Sequence, residues 1–286
     1  MSIRSINPKE LPIPQLHQYL LGSIGPRPIC FASTVDKDGN RNLAPFSFFN
    51  VFSANPPIVV FSPAKSGRTG ASKDTYLNCK EVPEVTINVV NYDMVQQMSL
   101  ASSPYPKGTD EFVKAGFTPI DAELIKPARV KESPVQLECK VIEIKELGEK
   151  GGAGNLIICE VVKLHIDEKI ITEKNHIDPY KIDLISRMGG NFYCRANGDA
   201  LFEIPKPITS IGIGIDQLPE KIRLSPHLTG NQLGQLGQLE KIPSAEEYGS
   251  EESLGETAAY KKASDLLLEN KTQEALSLLL KNIGNE

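Results

Sequence analysis

The segment "RNLAPFSFFNVFSANPPIVVFSP", Arg41–Pro63, decides how the rest of the chain is read. Its aromatic and β-branched content suits two strands, with "NPP" at 55–57 as the break between them. Yet the first half carries Asn42, Ala44, Pro45, Ser47, Asn50 and Ser53, and a proline falls inside a strand pattern. Proline has no N–H to donate, so within a sheet it belongs at an edge or a bulge. Such a strand leaves backbone amides and carbonyls free, and small side chains let a flat ligand come close. Ala44, Pro45, Phe46 and Ser47 then form the wall of a planar site. From these residues alone, an irregular sheet rim is an equally good reading.

Strand patterns continue on both sides. "RPICFASTVD" precedes the segment, and "DKDGNRN" between them is turn chemistry, with Asp38-Gly39 a hairpin signal. "EVTINVVN", "PVQLECKVIEIKEL" and "GNLIICEVVKLHID" follow. The glycine cluster "GEKGGAG" joins two strand patterns. A phosphate loop runs from strand into helix, so this cluster is expected to be a hairpin loop instead. Helices are few and short: "IPQLHQYLLGSIG" with Gly22 and Gly25 at its end, one capped by Asp74 or Thr75, "YDMVQQMSLAS", and "TDEFVKAG" capped by Thr109 or Asp110. Alternating βαβ units are absent, which argues against a dinucleotide-binding doubly wound sheet. A mainly β closed barrel is the expected fold, because closure removes exposed edges.

Directly after the wall comes "SPAKSGRTGASKDT", which places Ser62, Lys65, Arg68, Lys73, Asp74 and Thr75 in one connection. Arginine and lysine make charge-assisted hydrogen bonds to phosphate, and amides at a helix start add to them. A planar ligand with a phosphate arm is the economical reading of wall and loop together. The plainer reading of the loop is a solvated connection.

The blocks "GSIGPRPICFASTVDKDGNRNLAPFSFFNVFSANPPIVVFSP", "KDTYLN", "TINVVN", "DEFVKAGFTP", "PVQLECKV", "GNLIICEVVKLHI" and "ISRMGGNFYCR" resemble, in order, the flavin reductase-like proteins. The resemblance spans roughly residues 20–197. It implies a Greek-key split β-barrel that binds FMN, as a homodimer with the flavin near the interface. By matching block, it implies that Asn42, Ala44, Pro45, Phe46 and Ser47 line the isoalloxazine. It implies that Ser62, Arg68, Lys73, Asp74 and Thr75 surround the ribityl phosphate, with Asn88 and Arg27 as further contacts. His165 matches a position near the nicotinamide, and Arg187, Gly189, Gly190 and Tyr193 would close the site from the C-terminal side. No catalytic acid or base is expected, because the hydride chemistry belongs to the flavin.

Three parts are expected: a split-barrel domain at 1–205, an extended arm or linker at 206–254, and a C-terminal α-helical hairpin at 255–286. The hairpin looks like one tetratricopeptide-like unit, which cannot bury its own apolar face. The resemblance implies an oxidoreductase in which NADH or NADPH reduces FMN, and electrons pass to free flavin, a ferric complex or a partner oxygenase. Two alternatives stand beside it: a non-catalytic FMN carrier or redox sensor acting through a protein partner, and a related split-barrel chemistry such as B6-vitamer oxidation or haem binding.

Composition trims these classes. The 286 residues carry a formal charge of −5 without a lysine–arginine run, which argues against nucleic acid as a partner. The first twenty residues lack the apolar core of a signal peptide, and no apolar run reaches ~18 residues, so no membrane span is expected. Five widely spaced cysteines without a C-x-x-C suit reduced thiols and a cytoplasmic location. Cys30, Cys79, Cys139, Cys159 and Cys194 mostly sit beside apolar residues, as buried packing groups would. "HID" recurs at 165 and 176, but neither spacing matches a metal site.

Overall fold

A computed structural model describes residues 2–205, 210–243 and 254–283. The chain divides into two compact units, Met1–Phe202 and Glu203–Glu286.

In the first unit, α1 (Ile13–Ser23) leads through β1 (Arg27–Pro28) into β2 (Cys30–Val35), β3 (Arg41–Phe46), β4 (Phe49–Ala54) and β5 (Pro57–Phe61). Then come α2 (Asp74–Glu81), β6 (Glu84–Val89), α3 (Val95–Ala101), α4 (Glu111–Ala115), β7 (Pro119–Ile120) and β8 (Arg129–Val130). The long β9 (Val135–Glu146) and β10 (Asn155–Ile166) follow, then α5 (Pro179–Ile182), β11 (Leu184–Arg187) and β12 (Tyr193–Ala196). Seven strands form one antiparallel sheet in the order β3-β2-β6-β9-β10-β5-β4.

β3 and β4 are the two ends of that sheet, yet only Ser47 and Phe48 separate them in sequence. The three Cα–Cα steps from Phe46 to Phe49 span at most about 11 Å, so the sheet must curl until its edges come close. The edges do not pair, and the result is a Greek-key split β-barrel. Pro45 lies opposite Phe31 on β2. The N–H of Leu43 donates to Glu111 rather than to β2, so by strand alternation position 45 also faces away from β2. The proline therefore removes no ladder bond.

Cys30, Cys79, Cys139 and Cys159 are buried together in the barrel core with Val59, Phe61, Val85, Ile87 and Ile157. Burial raises all four thiols, Cys79 to about 12, which leaves them inert packing groups. The glycine cluster is the loop between β9 and β10. It docks on the cationic connection, where Lys65 N–H donates to Ala153 and Gly152 N–H to the Lys65 carbonyl. A Cβ on Gly154 would lie 2.7 Å from Ser62 Oγ, and one on Gly151 2.8 Å from the Ser66 carbonyl, so this approach needs glycine.

In the second unit, α6 (Glu220–Arg223) and α7 (Gly230–Leu236) precede α8 (Glu256–Leu268) and α9 (Thr272–Ile283). The extended arm expected at 206–254 is corrected where it is described. Leu218, Ile222, Leu228 and Leu236 bury their side chains against Tyr260, Ala263, Leu267, Ala275, Leu276 and Leu279. A Gly- and Gln-rich segment thus folds because its few leucines and isoleucine fall where the hairpin needs cover. The remainder of that expectation, at 206–209 and 244–253, lies outside the described residues.

Candidate functional site

A cleft of about 350 Å³ lies along the seam of the split barrel. Asn42, Ala44, Pro45, Phe46 and Ser47 form one wall, from β3 and the link that follows. Ser62, Lys73, Asp74 and Thr75 line it from the connection after β5 and the start of α2. Nine of the sequence-derived candidates therefore meet at one place.

Buried polar contacts position them. Asn42 Nδ2 donates to Thr34 Oγ1 at 3.0 Å and to Thr75 Oγ1 at 2.9 Å. Asn78 Nδ2 also donates to Thr34 Oγ1, at 3.1 Å. This network ties β2, β3 and α2 together beneath the cleft. Lys73 is the N-cap of α2 and has no side-chain capping bond. The first N–H groups of any helix lack intrahelical acceptors, so cation and free amides gather at one end of the cleft.

Glu111 sits at the same end and accepts the Leu43 N–H at 2.9 Å. Burial holds its carboxyl above the usual range, against the Leu43 hydrogen bond and with the added repulsion of Asp110 and Asp74. Sequence reasoning missed Glu111 and the segment Ala101–Tyr105, a lip of the same cleft, which His17 and Leu21 of α1 also line. The serines and proline of "ASSPY" are a loop signature, and nothing local says which cleft a loop will cover.

Four candidates lie elsewhere. Arg27 is buried and committed to the backbone: it donates to the carbonyls of Leu21, Ile24 and Met188, and its Nε lies 3.5 Å from Ser47 Oγ. It ties the C-terminal end of α1, including Leu21, to Ser47 of the cleft wall. Arg68 is exposed in the connection and does not line the cleft. Asn88 is fully buried on β6, where it donates to the Phe31 carbonyl and accepts the Val130 N–H. Its amide bonds to β2 and β8, and it does not line the seam cleft.

His165 is the fourth. It lies on β10 in a different, polar cleft, with Nε2 2.7 Å from Glu138 Oε1 and Nδ1 3.8 Å from Glu123 Oε1. Glu138 is fully buried and accepts the N–H groups of Glu123 and Leu124. Burial pushes this carboxyl up, but those two bonds and His165 outweigh it and hold it below the usual range.

A cavity of about 200 Å³ adjoins the seam cleft through Pro45, Phe46, Ser47 and Ser102, and Arg187 and Tyr193 line it. The Arg187 guanidinium lies 4.5 Å from the Tyr193 ring centre, a cation–π pair. Gly189 packs on Gly22, where an added Cβ would come within 3.1 Å of the Gly22 Cα, and the Gly190 carbonyl accepts Arg187 Nη2. Among the described residues, no group of His, Cys, Asp and Glu forms a metal site, and no helix is long and apolar enough to cross a membrane.

The seam cleft suits a flavin mononucleotide on these observations: a flat wall of small residues, and a helix start with an unengaged lysine for the phosphate. Residues 22–178 match the family described as flavin reductase like domain. An uncharacterised protein of Aquifex aeolicus is 32% identical over 189 residues, 66% of this chain and 94% of that protein. Nitrilotriacetate monooxygenase component B from Bacillus cereus is similar in structure, with a TM-score of 0.67 and 33% identity over 71% of this chain and all of that one. The 2-nitrobenzoate 2-nitroreductase NbaA of Pseudomonas fluorescens gives a TM-score of 0.63 and 26% identity over 73% of this chain and all of that one.

Proposed function

The chain belongs to the flavin reductase-like family, and on that premise we propose that it is an FMN-dependent oxidoreductase in which NADH or NADPH reduces the bound flavin. The observation that carries the reading is the seam cleft, where the wall at Ala44–Ser47 and the cationic start of α2 meet. FMN, when bound, supplies the hydride and electron chemistry. The chain positions and shields. Lys73 and the first amides of α2 hold the phosphate. Thr75 Oγ1 accepts from Asn42, which leaves its hydroxyl hydrogen for the ligand. Pro45 offers no N–H, so the ring meets a flat surface there rather than a competing donor. The lip at Ala101–Tyr105 limits water in the cleft.

The acceptor is a small molecule or a partner oxygenase. The second possibility is supported by the likeness to nitrilotriacetate monooxygenase component B. A homodimer in the cytoplasm completes the proposal. Its support is the edge strand β4, where Val51 and Phe52 are 65% and 68% exposed, and α1, which buries no residue. A carrier or sensor is the second reading, favoured by a whole compact unit, Glu203–Glu286, outside the matched residues 22–178.

The test is anaerobic. FMN-loaded protein mixed with NADH, then with NADPH, is expected to lose its yellow colour within seconds. Protein that takes up FMN and stays oxidised with both nucleotides supports the carrier, and protein that takes up no FMN removes both readings.

A further inference from the structure

The cavity of about 200 Å³ beside the seam cleft differs from it in charge. Arg187 is the one charged side chain in its lining, with no carboxylate beside it there. The seam cleft, by contrast, sets Lys73 among Asp74 and Glu111. Pro45, Phe46, Ser47 and Ser102 belong to both linings, so the cavity adjoins the wall assigned to the flavin. Ile29 and Met98 line it from the buried core. Its volume falls below the roughly 300–1,000 Å³ of drug-sized sites, which leaves room for a single ring and not for a dinucleotide.

Arg187 on β11 lies opposite Arg27 on β1 in the strand register. Like charges at facing positions repel. Neither guanidinium has an acid partner among the described residues. Burial first, and then the Arg187 charge, lower the Arg27 guanidinium from its ordinary value. Arg27 is buried and committed to carbonyls, so Arg187 is the member of the pair that a ligand can reach. Arg187 donates to the Gly190 and Phe192 carbonyls and lies over the Tyr193 ring, and these contacts fix its position. The rest of its five-donor fork has no acceptor among the described residues.

We propose that this cavity seats a small aromatic monocarboxylate as the electron acceptor, with Arg187 as the residue that selects it. The proposal rests on the flavin reading, since the cavity serves a reaction only with FMN in the cleft beside it. A carboxylate matches the guanidinium fork with two parallel hydrogen bonds and one charge. A phosphate carries about −1.5 to −2, more than one reachable cation offsets. The ring packs among Ile29, Phe46 and Met98. The carboxylate is a handle and is not itself reduced. The hydride taken from NADH or NADPH passes through FMN to a reducible group elsewhere on the molecule, a proton from water completes the two-electron reduction, and FMN returns oxidised.

Benzoate is the probe, because it has the handle and no reducible group. It is titrated into oxidised, FMN-loaded protein and read by calorimetry and by the change in flavin absorption. Benzoate is expected to bind and perturb the flavin spectrum, and benzamide, the same ring without the charge, to bind at least about tenfold more weakly. Arg187→Gln is expected to bring benzoate down to the level of benzamide while benzamide itself stays within about twofold, a pattern that general damage to the cavity does not give. Arg187→Lys keeps the charge without the fork and is expected to fall between. If Arg187→Gln does not fold, the benzoate-to-benzamide ratio of the unaltered protein and the lysine variant still decide. Equal affinity for benzoate and benzamide overturns the proposal, as does a benzoate preference that survives Arg187→Gln. Inorganic phosphate that displaces benzoate at like concentration overturns the carboxylate assignment. FMN uptake without benzoate binding at millimolar concentration sinks this proposal and leaves the flavin reading standing, whereas failure to take up FMN removes both.

Discussion

Replacing Lys73 with alanine removes the one cation that the structure places in the seam cleft at the start of α2. A charge-assisted hydrogen bond is worth about 1.5–3 kcal/mol when desolvated. Lys73 is solvent-exposed, so the lower end applies, about 1–1.5 kcal/mol, or roughly a five- to tenfold rise in the FMN Kd. Binding is weakened rather than abolished, because the α2 amides and Thr75 remain. Arg68→Ala is the paired control: it lies outside the cleft and is expected to change the Kd by less than about twofold. Quenching of flavin fluorescence, titrated at low and high salt, reads both variants, and the Lys73→Ala loss is expected to shrink in high salt as screening grows. A Lys73→Ala variant with unchanged affinity, or an Arg68→Ala variant weakened more than it, refutes the placement of the phosphate.

Other perturbations test the scaffold. Thr75→Val keeps the shape but removes the acceptor for Asn42 Nδ2, and is expected to cost about 1 kcal/mol in urea denaturation and to weaken FMN. Gly154→Ala drives a methyl into Ser62 Oγ at 2.7 Å, so FMN affinity is expected to fall with little change in melting temperature. Glu111 has a folded carboxyl held above its unfolded value by burial, so its contribution to stability is fully present at low pH and is lost as pH rises through the folded value. Glu111→Gln is therefore expected to raise the melting temperature at pH 7 and not below the carboxylate range, and thermal melts across pH decide it. Glu138 has the opposite sign: its folded carboxyl is depressed, so stability present at neutral pH is lost as pH falls below the usual glutamate range. Glu138→Leu strands the N–H groups of Glu123 and Leu124 and the His165 ring, and is expected to cost about 3–5 kcal/mol at pH 7 in denaturant titrations.

Local pattern by itself determined much of this protein. Apolar and β-branched runs located β2, β6, β9 and β10, and Asp38-Gly39 marked the β2–β3 turn. Asp110 caps α4 by accepting the Phe112 N–H, and Gly116 ends it in the left-handed region, as "TDEFVKAG" foretells. The proline in "NLAPF" announced an edge or a bulge, because its missing N–H is a property of the residue itself.

What only the tertiary structure decided is which polar groups were already spoken for. Arg27, Asn88 and His165 look in sequence like ligands in waiting. In the fold they meet backbone carbonyls, a neighbouring strand's N–H and a buried carboxylate. The leucines and isoleucine at 218–236 likewise sit among loop-forming residues, and their burial depends on α8 and α9. Hydrogen-bond partners and apolar cover come from residues far away along the chain, and no short window of sequence contains them.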